Sequence, residues 1–484
     1  MAPHDDEMNR RRQRREEMRQ KQEAEQKRLK AGLIAAAVIL VVCAVGLLAI
    51  IRDTGVELAP EEKPSQSASK ATQPPETKPQ TWAEQTATST IHIRAAGDLN
   101  VTDSVVKSGL SASGYEYTRS FIDVAPLLSD ADLTVMNLEG NIVGEPYGTA
   151  RTSAPIDLLN ALRSTGVDLI QMANSCTINN GLIGLNSTLQ AIHNSGMEPL
   201  GAYATKEDYQ RAKGYTICEA QGIKVAFVAF TKGLSGMGLP SGSEDCVNLL
   251  YKDYDSTYKE VDGDGIRKVL KNVAAEKPDI TIALLHWGSE YNDDISKTQK
   301  SIVSLMQKQG VDVILGTHPH TLQPIVFDDM AGTLVAYSLG DFFGEADRGA
   351  TNYSIILDIE ITKDANAGIT RVTNYSYTPI YTVREGEVVG NRDRRVVRIE
   401  KALEAYEDNF LDKVTDATAA GMQKAMTRIP ERMASELEVT CPECDKAVTV
   451  MIVTNETKQK ILVSDTKCKC GYILEAGKNA AEFD

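Results

Sequence analysis

Between Ile91 and Phe343 the chain repeats one pattern, in which a short apolar run ends in small or polar residues and a helix-like stretch leads to the next run. The runs are IHIRAAGDLN, DLTVMNLEG, DLIQMANSC, KVAFVAF, DITIALLHWGSE, DVILGTHPH and TLVAYSLGDFF. Helical spacing of apolar residues fills several of the gaps, as in APIDLLNALRSTG, GLNSTLQAIHNSG and SKTQKSIVSLMQKQG. Apolar positions three and four apart, then Gly, then a Val/Ile/Leu run, predict helix–strand units around a largely parallel sheet. After Tyr353 the segment YSIILDIEITKDANAGITRVTNYSYTPIYTV reads as strands broken by an Asn/Gly turn, antiparallel strands that complete the sheet. The fold class is therefore α/β.

The flanks bear on location. Ala31–Ile51, AGLIAAAVILVVCAVGLLAII, is 21 residues without a charge. As a helix it is about 31 Å long, enough to cross a bilayer's hydrocarbon core. A buried core helix would be shorter and amphipathic, and a cleaved signal peptide would carry a shorter apolar region and a small-residue cleavage site. The reading is a retained single-pass anchor. Residues 1–30 hold ten Lys and Arg against seven Asp and Glu, whereas few positive charges follow the run. The positive-inside rule then places the N-terminus in the cytoplasm and the main domain outside. The formal net charge of -15 argues against a nucleic-acid partner, because phosphate neutralisation needs clustered Lys and Arg. The expected organisation is a basic cytoplasmic segment over 1–30, a membrane helix over 31–51 and a flexible Pro/Ser/Thr-rich stalk over 52–90. An α/β domain follows over 91–395, then a helical segment over 396–436 and a small cysteine-bearing β module over 437–484.

Polar residues collect where the apolar runs end: Asp98, Asn100, Asn137, Glu139, Asn174, Ser175, Cys176, His286, Glu290, His318, His320 and Asp341. Ligands of open α/β sheets sit beyond the carboxyl ends of the strands. His318 and His320, separated by one Pro, can present two imidazoles to one centre, with carboxylates and amides as oxygen ligands. The alternative is that such residues only cap helices and satisfy loop backbones. For Asn100, Asn137 and Glu139 taken singly that alternative is preferred, but His286 together with His318 and His320 points to a site.

At these residues the sequence resembles the CapA family of poly-γ-glutamate capsule proteins, whose domain is related to calcineurin-like metallophosphoesterases. AAGDLN, MNLEG, LLHWGSEY, ILGTHPHTLQPI and AYSLGDFF stand in the family's order between about residues 91 and 345. The resemblance implies a metallophosphoesterase-like sandwich of β-sheets flanked by helices, with a divalent metal at one edge. It implies Asp98, Glu139, His286, His318 and His320 as metal ligands, which would polarise an ester or amide and activate bound water. Glu290 would then serve as a base or orienter, and Asn100, Asn137, Asn174, Gln323 and Asp341 would support the ligands or touch substrate. One motif departs: the family's Ala-Asn-Asn-His-x-x-Asp reads ANSCTIN here, so Ser175, Cys176 and Asn179 replace Asn, His and Asp. Asp341 likewise replaces an Asn. A thiol cannot act as an imidazole acid near neutral pH, so the catalytic position falls to Cys176 without its usual chemistry. The implied function is synthesis, attachment or remodelling of an extracellular anionic polymer, in company with envelope-assembly proteins. The rivals are a catalytically inactive binding domain and a metal-dependent phosphoesterase.

Near the end, CPEC (Cys441 to Cys444) and CKC (Cys468 to Cys470) flank a strand-like stretch. Two cysteine turns across a hairpin suit a zinc ribbon with four thiolates, although the second pair is one residue tighter than usual. Disulfides are the alternative outside a cell, and free thiols the third.

Overall fold

A computed structural model describes residues 88–389, 394–410, 413–455 and 457–483. The expected basic segment, membrane helix and nearly all of the expected stalk lie outside the described residues; Thr88–Thr90, placed in the stalk, begin the first strand. Among the described residues no helix is long and apolar enough to cross a membrane.

Two mixed sheets form the α/β domain, as the expected sandwich of β-sheets requires, in place of the one largely parallel sheet that the helix–strand pattern alone suggests. The first runs in the order Arg395–Arg398, Ile369–Val383, Tyr353–Asp364, Thr88–Asn100, Leu133–Glu139, Leu169–Gln171, Glu198–Leu200, with Asp341–Phe343 also paired to Thr88–Asn100. From Thr88–Asn100 to Glu198–Leu200 the strands are parallel, and Tyr353–Asp364 and Ile369–Val383 are antiparallel as the turn chemistry predicts. The second sheet runs Ile325–Asp328, Thr333–Ala336, Val313–Thr317, Ile280–His286, Ile223–Thr231, Thr216–Ala220, parallel across its four middle strands. The first sheet extends past the expected boundary at 395, because Arg395–Arg398 pairs with Ile369–Val383.

The alternation of side chains shows how the sheets are layered. Val225, Phe227 and Ala229, with Ile282, Leu284, Val313 and Leu315, share one core with the first sheet's Ile93, Val135 and Ile355. Their neighbours Ala226, Val228, Phe230, Ala283, Leu285 and Ile314 pack instead with helices Gly263–Ala275 and Lys297–Lys308. Those helices bury Ile266, Val269, Leu270 and Val273, and Ile302, Val303 and Met306, at helical spacing. Each fully buried Phe, Leu, Ile or Val contributes roughly 1.5–3 kcal/mol. A capping box of Ser296 and Gln299 starts the second helix, and an Asp262 cap starts the first. Both faces of the second sheet are thus buried, which is why its strands read as continuous apolar runs.

The segment Tyr337–Asp341 threads between the sheets, and two glycines make room for it. A side chain at Gly97 would lie 1.8 Å from the Gly340 carbonyl oxygen, and one at Gly316 would lie 1.9 Å from that of Tyr337. The approach is fixed by Asp98 N–H donating to Gly340 O (2.9 Å), Leu339 N–H to Gly316 O (3.1 Å) and Trp287 Nε1–H to Tyr337 O (2.9 Å). The expected helical segment is present as Ile399–Glu407 and Asp416–Met433. The tail is a three-stranded sheet, Ser435–Thr440, Ala447–Thr454 and Lys460–Leu462, with a small core of its own.

Candidate metal centre

Strand register brings the polar strand ends together. Across the first sheet Asp341, Asp98, Asn137 and Gln171 are successive partners, and Asn100 pairs with Glu139. Across the second, Thr231, His286 and Thr317 are partners, and the chain leaves Thr317 directly into His318. The His318 N–H donates to Asp98 Oδ2 (2.9 Å) and Thr317 Oγ1 donates to Gln171 Oε1 (3.3 Å), so the two rows meet. His318 and His320 adopt φ of +92° and +60° on either side of Pro319. Such backbone strain in non-glycine residues persists only where the surroundings impose it, and it collects at functional sites.

A chain of amides orients the first carboxylate. Asn174 Nδ2 donates to Asn137 Oδ1 (3.0 Å) and to Leu138 O (2.7 Å), while Asn137 Nδ2 donates to Asp98 Oδ1 (2.6 Å). Asp341 Oδ1 accepts from Asn100 Nδ2 (2.9 Å) and sits 2.8 Å from His320 Nδ1. That pair is a carboxylate–imidazole couple, which leaves Nε2 of His320 as the nitrogen available to a metal. The close group of Asp98, His320 and Asp341 is therefore already satisfied by hydrogen bonds. The other two groups differ. Glu139 with His318 and His320, and Asp98 with Glu139 and His286, have ligand atoms within 4.8 Å of one another. Within them Glu139 Oε1, His286 Nε2 and His318 Nδ1 are buried without any hydrogen-bond partner. An orphaned buried polar atom costs about 1–3 kcal/mol; Glu139 Oε1 lies 3.6 Å from His286 Nε2, and Glu139 belongs to both close groups. A divalent cation fits this donor set of imidazole and carboxylate.

The electrostatics favour ligation by His286 and His318 directly, whereas an ion must displace the protons of Glu139 and His320. Burial pushes the Glu139 carboxyl up to about 8, against the opposing His320 charge and with help from Asp98, Asp341 and Glu290. Burial likewise raises Asp98 to about 6, partly offset by His320. His286 and His318 are held well below the usual imidazole range, first by burial and then by neighbouring His and Lys groups, so both are neutral and able to ligate. Burial alone would lower His320 too, but the Asp341 hydrogen bond and the charges of Glu139, Asp341 and Asp98 win and hold it near 11. Cys176 is pushed up to about 12 by burial and by Glu139, so it stays a thiol. Its Sγ lies 3.8 Å from Ser175 Oγ, which in turn reaches Glu139 Oε2 at 3.4 Å.

Asp98, Asn100, Asn137, Glu139, Asn174, His286, His318, His320 and Asp341 thus converge. Glu290 is exposed and lines a side cleft of about 380 Å³ with Ser175, Lys232, Tyr258 and His318. Gln323 lies apart from the donors: its Nε2 donates to Asn292 O (2.8 Å) and its Oε1 accepts from Gln299, so it fastens the 292–294 loop. Asn179 donates to Thr152 Oγ1. Sequence reasoning passed over three residues. Lys232 Nζ donates to Gly288 O (2.7 Å) and lies 3.4 Å from His318 Nε2; its place at the end of KVAFVAF was the available signal. Tyr291 stacks on His320 (centroids 5.5 Å apart), and the Arg348 guanidinium lies 4.3 Å above the Tyr291 ring. They border a cleft of about 210 Å³ with Asn100, Glu139, Cys176 and Asp341. A cleft of about 1200 Å³ lies elsewhere, between helix Asp416–Met433, the tail and the 293–295 loop.

Comparison with known proteins gives a consistent family. The profile described as bacterial capsule synthesis protein PGA_cap matches residues 92–346. The capsule biosynthesis protein CapA of Bacillus anthracis is 24% identical over 269 residues, covering 54% of this chain and 62% of the relative. The PGA biosynthesis protein CapA of Bacillus subtilis is 24% identical over 222 residues, covering 46% of this chain and 53% of the relative. The chain thus spans between half and two thirds of the length of these curated relatives. Among solved structures, the calcineurin-like phosphoesterase YfkN of Bacillus subtilis aligns with 16% identity and a TM-score of 0.37, over 71% of this chain and 98% of that one. A phosphatase from Mycoplasma pneumoniae aligns with 14% identity and a TM-score of 0.35, over 60% and 94%.

Proposed function

The chain belongs to the bacterial capsule synthesis protein PGA_cap family, and on that premise we propose that it is a membrane-anchored envelope protein whose α/β domain binds a divalent cation and acts on an extracellular anionic polymer such as poly-γ-glutamate. The observation that carries the reading is three orphaned buried ligand atoms, Glu139 Oε1, His286 Nε2 and His318 Nδ1, in two close groups that share Glu139. Asp98, Glu139, His286, His318 and His320 would hold the ion. Bound there, a divalent cation supplies Lewis-acid polarisation of an ester or amide oxygen. The protein's own groups do the rest. Asn137 and Asn174 fix the Asp98 carboxylate, Asp341 fixes the His320 ring, and Arg348 over Tyr291 offers positive charge at the mouth of the cleft. The uncharged run Ala31–Ile51 and its basic flank support the anchor and the outward orientation.

A second reading is a polymer-binding domain without turnover, and Cys176 favours it. A thiol held at about 12 is a poor proton donor to a leaving group near neutral pH. One experiment separates the readings. Metal content of the purified protein is compared with that of His318→Ala, and both are incubated with poly-γ-glutamate and with simple phosphoesters. Loss of an ion in the variant together with metal-dependent shortening of the polymer supports the enzyme. Loss of the ion with binding but no cleavage supports the second reading. Equal metal in the two proteins refutes the centre.

A further inference from the structure

The tail's four cysteines play no part in the centre above, and their geometry assigns them a separate task. Cys441 Sγ lies 3.7 Å from Cys470 Sγ, Cys444 Sγ lies 3.6 Å from Cys468 Sγ, and all four sulfurs are within 4.8 Å of one another. A tetrahedron built on zinc–sulfur bonds of about 2.3 Å has edges of about 3.8 Å. The thiols therefore already stand near the corners that four-coordinate zinc requires. A disulfide needs sulfurs about 2.05 Å apart, and the four cysteines are free.

The backbone is built for the same purpose. Cys441 N–H donates to Lys446 O (2.9 Å) and Asp445 N–H to Cys441 O (2.9 Å), which closes a tight loop around the first pair. Cys468 N–H donates to Tyr472 O (2.8 Å) and Gly471 N–H to Cys468 O (2.9 Å), which closes an equivalent loop one residue shorter. The missing residue accounts for C-x-C in place of C-x-x-C, and Gly471 absorbs the tighter bend at φ +102°. Backbone N–H groups of Lys446, Cys470 and Tyr472 point at the sulfurs of Cys444, Cys468 and Cys470.

The size of the module makes the same demand. Its core consists of Val439, Val450, Ile452, Leu462, Leu474, Ala480 and Phe483 around Cys441 and Cys468. A unit of about 50 residues with so few apolar groups needs a staple such as a metal ion. We propose that Cys441, Cys444, Cys468 and Cys470 bind one tetrahedral zinc ion that folds the tail and is independent of the α/β-domain centre. The fold it maintains includes Ser435, Glu436 and Met451, which form one wall of the 1200 Å³ cleft.

The test uses the full-length protein purified without added reductant. Zinc and iron are measured in the wild type, in Cys441→Ser/Cys468→Ser and in His318→Ala, and free thiols are counted by alkylation and intact mass. The double cysteine variant is expected to lose one zinc per chain, and His318→Ala to retain it. Because the cysteine variant can misfold, the wild type is also stripped and reloaded with cobalt(II), which should give the sulfur-to-metal charge-transfer band of a tetrathiolate. Iron in place of zinc, two disulfides among the four cysteines, unchanged zinc in the cysteine variant, or cobalt without the sulfur band would each overturn the assignment.

Discussion

Gly316→Ala puts the crossing between the sheets to a severe test. The added methyl would sit 1.9 Å from Tyr337 O, 2.5 Å from its carbonyl carbon and 2.7 Å from Trp287 Nε1. Backbone carbonyls cannot swing aside as side-chain ends do, so the Tyr337 peptide must retreat by about 1 Å or more. Overpacking of this kind costs about 1–3 kcal/mol. The retreat also breaks the 2.9 Å bond from the fully buried Trp287 indole, and an unsatisfied buried donor costs about another 1–3 kcal/mol. Together the loss is about 2–6 kcal/mol. For a folded unit of about 400 residues the unfolding entropy is about 0.8 kcal/mol per degree, so Tm should fall by about 2–7 °C. Since His318 follows two residues on, and Leu339 N–H bonds to Gly316 O just before Asp341, bound metal should fall as well. Thermal unfolding by calorimetry checks the first effect and metal analysis the second. Gly349→Ala is the control, because its methyl meets nothing within 4 Å. A Gly316→Ala protein with Tm within about 1 °C of wild type and full metal would show that the close approach does not hold the site together.

Acid should weaken the α/β-domain metal: with the Glu139 carboxyl at about 8, its proton competes with the ion at lower pH, and affinity should rise at least about 50-fold from pH 6 to pH 8. Equilibrium dialysis giving a flat profile over that range would count against Glu139 as a ligand. Ser175→Asn combined with Cys176→His restores an amide and an imidazole beside Glu139, and should raise metal-dependent hydrolysis by roughly 10²-fold or more. Strong wild-type turnover, undiminished in Cys176→Ala, would mean that the proton comes from another group. Protease added to intact cells should remove residues beyond about Arg52 and leave the anchor uncleaved; a soluble form beginning within residues 45–90, made without protease, would refute the topology.

Much of this molecule is local in origin. The short apolar runs, the helical spacing in Gly263–Ala275 and Lys297–Lys308, and the Asn/Gly turn after Asp364 each follow from residues within a dozen positions of one another. So does the collection of polar groups at strand ends, because a carboxylate or imidazole is excluded from the strand interior and survives where the chain turns. What the sequence could not determine is which strands share a sheet. A strand buried on both faces has the same pattern in either layer, so Ile223–Thr231 and Leu133–Glu139 read alike although they belong to different sheets. Only the tertiary structure takes Asp341 from a run whose first half, Thr333–Ala336, lies in the second sheet and pairs it beside Asp98 in the first. It alone separates Gln323, which fastens a loop, from the neighbouring His320, which faces the centre. The same is true of Lys232, Tyr291 and Arg348. Their positions depend on contacts between residues far apart in the chain, and such contacts leave no period in the sequence.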